Sequence, residues 1–170
     1  MGRQSRDQRD TDFVEFVAAR RARLFRTAYL LCGDRDRAED IVQTTLAKLY
    51  PRWGRVQRVG AVDAYVRRMV VNTHLDEVRR PWRREHPVEH LTDRPAPEPT
   101  GPEDHDELWS ALRELAPGQR RVVVLRHYWG LSVEETAADL GISTGTVKSQ
   151  TSAALARLRE ALTDEIRGIR

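Results

Sequence analysis

Residues 131–162 of this chain read LSVEETAADLGISTGTVKSQTSAALARLREAL, a pattern that predicts two helices joined by a tight turn. Ser132 begins the first helix, because with Glu135 three residues later it can form a capping box. Gly141 ends that helix, since glycine tolerates the backbone conformation that a helix C-terminus commonly requires. Ser143 is then in position to cap the second helix.

The second helix has one apolar and one polar face. Its apolar positions, which recur every three to four residues, are Val147, Ala154, Leu155, Leu158 and Leu162. The polar side chains left outward, together with the cap, are Ser143, Thr144, Thr146, Lys148, Ser149 and Ser152. Ala137 and Gly141 supply the small residue and the permissive turn that two helices crossing at a wide angle need. The pattern is typical of a helix-turn-helix that reads DNA, with an ordinary αα-hairpin in a helical bundle as the alternative.

The composition is that of a highly charged protein, with 32% charged and 39% hydrophobic residues. No run of about eighteen apolar residues occurs and residues 1–12 lack the apolar stretch of a signal peptide, so we expect a cytoplasmic protein without membrane insertion. Cys32 is the only cysteine, which excludes an internal disulfide and any CxxC site. The scattered histidines indicate no metal site and no cofactor is indicated. Without a nucleophile or a phosphate-binding motif, we do not expect an enzyme.

Basic and acidic residues are segregated along the chain, although the net charge is only +3. Residues 51–86 contain nine arginines against four acids, whereas residues 87–107 contain seven acids against one arginine. Arginine suits bidentate contacts to phosphate and guanine, but codon bias in a GC-rich genome explains the preference equally well. The acidic stretch also holds five prolines and cannot bury a core, which predicts a linker.

Helical periodicity predicts three helices before this linker and four after it, and no segment alternates as a strand does. Residues 1–11 are polar, and we expect them to be disordered. The three helices occupy residues 11–33, 36–50 and 62–80, with a loop at 52–60, a capping box of Asp36 and Glu39, and Tyr65 and Val78 among the inward positions of the third. Beyond the linker, a short helix carrying Trp109 is predicted to end at Pro117 and Gly118.

We therefore predict an all-α protein of two small helical domains. A three-helix bundle at residues 11–86 is joined by the acidic, proline-rich linker at 87–107 to a four-helix domain at 108–166, which contains the helix-turn-helix.

Three segments in order carry a family resemblance. They are DRDRAEDIVQTTLAKLYPRW at 34–53, AYVRRMVVNTHLDEVRR at 64–80, and, after the acidic linker, LRELAPGQRRVVVLRHYWGLSVEETAADLGISTGTVKSQ at 112–150. Together they resemble a bacterial RNA polymerase sigma factor of the extracytoplasmic-function (ECF) type, with the likeness running from about Phe13 to Leu162. The arginine-rich composition suggests an actinobacterial member.

The resemblance implies that the second helix binds a coiled coil of core RNA polymerase. The residues that correspond to this contact are Asp40, Ile41, Gln43 and Thr44. Thr44 departs from the acidic residue that family members commonly have there, which implies a weaker or rearranged contact. A solvated polar face on a bundle helix is the alternative for this block.

The loop and third helix correspond to the part of the family that opens the −10 promoter element. The residues implied in DNA contact are Arg52, Trp53, Arg55, Arg68, Asn72, Arg79 and Arg80. Trp53 and Tyr65 can each pack against bases or complete the core, and for Tyr65 we expect the core. Many relatives have a tryptophan close to position 65.

The second helix of the helix-turn-helix would read the −35 element through Ser143, Thr144, Thr146, Lys148, Ser149 and Ser152. Gln150 and Ala153 stand where many relatives have arginine, so the promoter sequence should differ from theirs. The resemblance thus implies a sigma factor that recruits core RNA polymerase to promoter DNA and assists its opening, and it allows an anti-sigma factor as a further partner. A polymerase-independent helix-turn-helix regulator is the alternative; it would need a dimer, for which the chain offers no obvious helix.

Overall fold

A computed structural model of the chain describes residues 2–79 and 104–168, and every regular element within those ranges is a helix. The all-α prediction is confirmed for these residues. The chain divides into two compact units, one within residues 1–80 and the other within residues 81–170. Among the described helices, none is long and apolar enough to cross a membrane.

Four helices build the first unit. They are α1 (Gly2–Cys32), α2 (Arg35–Leu49), α3 (Trp53–Val59) and α4 (Val62–Arg79), with a 3-10 turn at Tyr50–Arg52 before α3. Helix α1 packs against both α2 and α4. The buried side chains of the core are Leu24, Ala28, Ala38, Ile41, Val42, Leu49, Trp53, Val56, Val66 and Val70. This arrangement matches the predicted bundle of three long helices and adds the short α3.

Two predictions for the ends of α1 and α2 differ in outcome. Gly33 follows α1 at φ 72°, so the predicted end of that helix is confirmed. The cap of α2 is Asp34 rather than the predicted Asp36, because the Asp34 carboxylate accepts a hydrogen bond of 2.8 Å from the Arg37 N–H. The helix therefore begins one residue earlier than predicted.

Two segments that the sequence left without regular structure are helical. Residues 2–11 belong to α1 instead of being disordered, and residues 53–59 of the predicted loop form α3. Both segments contact each other, as Phe13 packs edge-on against Trp53 with ring centroids 5.4 Å apart. Local polarity hid this structure because the packing partners are distant in sequence.

The inward face of α4 is rotated from the predicted one. Tyr65 is 37% exposed and Val78 is also exposed, whereas Arg67 and His74 are buried. Successive helical residues are about 100° apart, so a face centred between Val66 and Val70 excludes position 65 and includes position 67. The prediction that Tyr65 and Val78 point inward is wrong.

The second unit contains four α-helices and a π turn. They are α5 (Asp104–Arg113), α6 (Pro117–Val123), the π turn (Val124–Tyr128), α7 (Val133–Leu140) and α8 (Thr144–Gly168). Pro117 starts α6 rather than ending α5, in agreement with the preference of proline for the first helical turn. Arg120 closes the end of α5, since its Nε donates to the Leu112 carbonyl at 3.0 Å and its Nη2 to the Leu115 carbonyl at 3.3 Å.

Candidate nucleic-acid interfaces

The helix-turn-helix of α7 and α8 forms as the sequence predicts. The Ser132 hydroxyl accepts a 3.0 Å hydrogen bond from the Glu135 N–H, and the Glu135 carboxylate accepts one of 2.8 Å from the Ser132 N–H. This is the predicted capping box. Gly141 then ends α7 at φ 64°, and the Ile142 N–H donates to the Ala137 carbonyl at 3.1 Å.

Helix α8 is positioned by packing on one side and by its cap at the N-terminal end. Val147 is fully buried and clusters with Val122 of α6 and Ala137 of α7. The Ser143 hydroxyl accepts a 3.1 Å hydrogen bond from the Thr146 N–H and lies 2.9 Å from the Thr146 hydroxyl. The first turns of α8 are therefore held rigidly against the rest of the unit.

The outward face of α8 carries the predicted DNA-reading residues. Ser143, Thr144, Lys148, Ser149 and Ser152 are exposed, and Thr146 is half-buried. The Ser149 hydroxyl donates to the Thr146 carbonyl at 3.1 Å, so Ser143, Thr146 and Ser149 all make local hydrogen bonds. Lys148 is the long cationic side chain on the first turns of this face.

Two positions of α8 differ from their predicted surroundings. Leu162, predicted inward, is 53% exposed, because it lies about 22 Å along the helix from Val147 and α7 is only eight residues long. Gln150 is half-buried, and its amide nitrogen lies 3.6 Å from the position that a Cβ on Gly118 would occupy. Gln150 therefore faces the start of α6, a packing role that the sequence did not reveal.

In the first unit, α2 places three of the four predicted polymerase-contact residues on its surface. Asp40, Gln43 and Thr44 are exposed, whereas Ile41 is only 2% exposed and belongs to the core. Ile41 is thus corrected from a surface contact to a packing residue. The Gln43 amide donates to the Glu39 carboxylate at 3.3 Å, and Glu39 also pairs with an arginine of α1.

The predicted −10 residues divide between surface and core. Arg52, Arg55, Arg68, Asn72 and Arg79 are exposed; Arg80 lies outside the described residues. Trp53 is 3% exposed and packs between the rings of Phe13 and Phe16, at centroid distances of 5.4 and 4.8 Å. Of the two alternatives for Trp53, the structure supports core packing and does not support contact with DNA bases.

Tyr65 takes the surface position that Trp53 lacks. Arg68, Asn72 and Arg79 follow Tyr65 at intervals of three, four and seven residues, which keeps all four on one face of α4. An exposed ring beside arginines and an asparagine is the equipment for stacking on an unpaired base. Rotation of the α4 face, which the apolar pattern did not disclose, brings this ring to the surface.

The start of α4 is fixed by an ion pair to α1. Arg20 Nε donates to Asp63 Oδ1 at 2.7 Å and Arg20 Nη2 to Asp63 Oδ2 at 3.1 Å, so the contact is bidentate. Hydrogen bonding to Asp63 raises the pKa of Arg20 further above its ordinary value. The guanidinium therefore stays charged at every pH at which the protein is folded.

The remaining titratable groups offer no second kind of site. Within the described ranges, no cluster of three or more His, Cys, Asp or Glu residues is arranged to hold a metal ion. Cys32 is partly buried, its Sγ donates to the Asp34 carbonyl at 3.3 Å, and burial raises the pKa of the thiol to about 11. Such a thiol is poorly nucleophilic near neutral pH.

Comparison with known proteins assigns both units. Residues 16–84 match the family described as Sigma-70 region 2, and residues 105–158 match Sigma-70, region 4. The RNA polymerase sigma-E factor of Streptomyces coelicolor is 45% identical over 154 residues, which cover 89% of this chain and 86% of that protein. The chain therefore belongs to the family of RNA polymerase sigma factors.

Within that family the chain is of the ECF type. The ECF RNA polymerase sigma factor SigM of Mycobacterium tuberculosis is 32% identical over 152 residues, covering 88% of this chain and 76% of that protein. Among solved structures, the sigma factor RpoE in complex with the anti-sigma factor NepR from Bartonella quintana aligns with a TM-score of 0.72 at 28% identity, covering 89% of this chain and 97% of that chain. The predicted family and function are confirmed: the protein directs RNA polymerase to promoters.

Proposed function

We propose that the chain contacts polymerase and promoter through three surfaces of its two units. The first turns of α8 read the −35 element, the exposed face of α4 engages the opened −10 element, and the outward face of α2 binds core polymerase. The observation that carries this proposal is the capped α8, whose exposed Lys148 occurs in the same chain as a separate unit with an exposed basic face on α4.

Reading of the −35 element rests on the geometry of α8. In a helix-turn-helix, the N-terminal residues of the second helix meet base edges in the major groove. Thr144, Lys148 and Ser152 project outward from this part of α8, while Ser143 and Thr146 hold its first turn. The packing of Gln150 against α6 supports a promoter preference different from that of relatives with arginine at this position.

Opening of the −10 element rests on the face of α4 that contains Tyr65. Single-stranded bases bind to exposed aromatic rings, and arginines beside them neutralise the phosphates. Arg68 and Arg79 supply the charge and Asn72 supplies hydrogen bonds. Tyr65 then takes the stacking role for which Trp53 was the sequence-based candidate.

Binding of core polymerase rests on Asp40, Gln43 and Thr44 of α2. The three side chains are exposed and adjacent, and the helix behind them is fixed by the buried Ile41 and Val42. A rigid polar strip of this kind suits a partner helix or coiled coil that presents basic and polar groups.

The chain between the units has its own proposed role. We keep the proposed boundaries of 11–86, 87–107 and 108–166, with the difference that α5 begins at Asp104, inside the proposed linker. A linker of 21 residues spans at most about 70 Å, or about two turns of DNA, so one chain can bind both promoter elements. Its acidity suits a positively charged nucleic-acid channel.

Two further features follow from the relatives. The solved RpoE structure is a complex with an anti-sigma factor, and we propose that an anti-sigma factor also binds this chain. Relatives from Streptomyces and Mycobacterium agree with an actinobacterial origin, and a role with RNA polymerase places the protein in the cytoplasm as a non-enzymatic initiation factor.

Run-off transcription tests the proposal. Core polymerase is incubated with and without the chain on a template carrying the upstream region of its own gene, and transcripts are expected only when the chain is present. Failure to stimulate transcription on any promoter tested would refute the proposal. Matches to both region 2 and region 4 disfavour the polymerase-independent regulator, which would bind DNA with no effect of added core polymerase.

A further inference from the structure

The first described turns of α1, residues 6–12, lie against the segment that contains α3. We call residues 6–12 the leading segment. The Tyr50 hydroxyl donates to the Asp10 carboxylate at 2.8 Å, and the Gln57 amide donates to the Asp12 carboxylate at 3.2 Å. The Arg9 guanidinium lies 5.2 Å from the centre of the Tyr50 ring, and Arg9 Cδ lies 3.7 Å from the position that a Cβ on Gly54 would occupy.

The segment on the receiving side is short and depends on its neighbours. Helix α3 has seven residues, no side-chain cap at its start, and only Trp53 and Val56 buried. Isolated helices of this length are unstable in water, because nucleation costs more than one or two turns of hydrogen bonds return. Its orientation must therefore come from packing, and the leading segment supplies the polar part of that packing.

The residues that α3 presents to solvent are basic. Arg52, Arg55 and Arg58 are exposed on or beside it, and the Arg58 side chain folds back to the Gly54 carbonyl at 2.9 Å. Under the proposed function, these side chains face promoter DNA near the opened −10 element. A shift of α3 would displace all three arginines together.

We propose that the leading segment is a positioning segment for promoter opening, which holds α3 and its arginines in the orientation that engages DNA. Asp10 acts through Tyr50, at the start of the supported segment, and Asp12 acts through Gln57, near its end. The inference rests on the proposed function, because α3 matters for opening only if this unit engages the −10 element.

The contacts favour support of α3 over competition with DNA for it. An acidic segment that blocked DNA would pair with the arginines that bind phosphate. Here Asp10 and Asp12 accept hydrogen bonds from the neutral groups of Tyr50 and Gln57 instead. In the described part of the chain, none of the ion pairs joins the leading segment to Arg52, Arg55 or Arg58.

Four single variants and one double variant in the reconstituted holoenzyme test the proposal. Asp10→Ala and Tyr50→Phe each remove the same hydrogen bond, one with a change of charge and one without. Asp10→Asn removes the charge but keeps an acceptor oxygen. Asp7→Ala is the matched control, because it removes an exposed charge from the same segment without touching α3. The readout is the fluorescence rise of 2-aminopurine in the −10 element as the strands separate.

We expect Asp10→Ala and Tyr50→Phe to slow opening by about three- to tenfold, the range that loss of one net hydrogen bond produces. The double variant should lose no more than either single one, since both remove one contact. Asp10→Asn and Asp7→Ala should match the wild type. On a template whose −10 element is already unpaired, all variants should transcribe equally, which a general loss of folding or of polymerase binding would not allow.

Other outcomes overturn the inference. Equal opening rates for all variants would mean that the contact does not position α3. Faster opening by Asp7→Ala, Asp10→Ala and Asp10→Asn alike would mean that the segment repels DNA. Losses of the same size on both templates would mean damage elsewhere. A wild-type holoenzyme that opens no promoter would instead count against the proposed function.

Discussion

Lys148 is the residue whose replacement separates DNA reading from folding. It is exposed in the second turn of α8, away from the buried Val147. We expect Lys148→Ala to weaken binding of the holoenzyme to the −35 element by about five- to 150-fold, or about 1–3 kcal/mol, if the ammonium contacts a base edge. Electrophoretic mobility shifts with an upstream-element duplex measure this effect.

Arg159→Ala is the matched control for Lys148→Ala. Arg159 is exposed and lies eleven residues further along α8, which places it on the same face about 16 Å from Lys148. Its loss should leave −35 binding nearly unchanged, and both variants should bind core polymerase as the wild type does. Equal loss of DNA and polymerase binding by Lys148→Ala would show that the assignment of α8 is wrong.

Cys32 should titrate far from neutral pH. Burial raises the pKa of its thiol from 9.0 to about 11, so at pH 8 the folded protein has about 100-fold less thiolate than an ordinary cysteine and should react correspondingly slowly with a thiol reagent. The unfolded chain ionises first as the pH rises, so the stability that the buried thiol contributes is complete below about pH 9 and lost by about pH 11. Reaction in denaturant is the control, and fast labelling of the folded protein at pH 8 would contradict the burial.

Tyr65 and Trp53 show how far single residues can be predicted from sequence. Both were recognised as aromatics that either stack on bases or fill the core, and the expected core role of Tyr65 was wrong. The choice depends on which arc of α4 meets its neighbours. Burial of Arg67 and His74 widens that arc in a direction that apolar periodicity does not show.

At the level of elements, the turn between α7 and α8 depends on a glycine. Gly141 has φ 64°, a conformation that costs an L-residue about 1–2 kcal/mol. Gly141→Ala should destabilise the second unit by about that amount. Urea unfolding followed by helical circular dichroism measures the change.

Gly118→Ala is the matched control within the same unit. Gly118 lies in α6, and its added Cβ would meet Gln150 at an ordinary contact distance of 3.6 Å. Since alanine favours a helix more than glycine does, this variant should unfold at the same or a higher urea concentration than the wild type. An equal loss of stability in both variants would show that side-chain size, not backbone conformation, limits these positions.

Local signals predicted those elements whose ends are made by neighbouring residues. The capping box of Ser132 and Glu135 and the glycine ends at Gly33 and Gly141 were predicted and are observed. The helical residues 2–11 and α3 were missed. Their contacts join positions about 40 residues apart, such as Asp10 with Tyr50, and no periodicity within either segment reports on such a partner.

At the level of the whole molecule, promoter binding should require the polymerase. The net charge is only +3, and acidic and basic stretches alternate along the chain. Affinity for DNA rises with the number of phosphates neutralised, so the isolated chain should bind promoter and random duplexes equally weakly at physiological salt. Fluorescence anisotropy with and without core polymerase measures this difference, and sequence-specific binding by the isolated chain would contradict it.

The π turn at Val124–Tyr128 has a consequence for insertions and deletions in this part of the chain. Its wide hydrogen bond, from the Trp129 N–H to the Val124 carbonyl at 3.2 Å, accommodates one residue more than a regular α-helical turn. Removing one residue there would restore regular winding but rotate everything beyond it by about 100°. Leu131 and the start of α7 would then leave the core that Leu125 anchors, so chain length at this turn should be restricted where surface loops tolerate change.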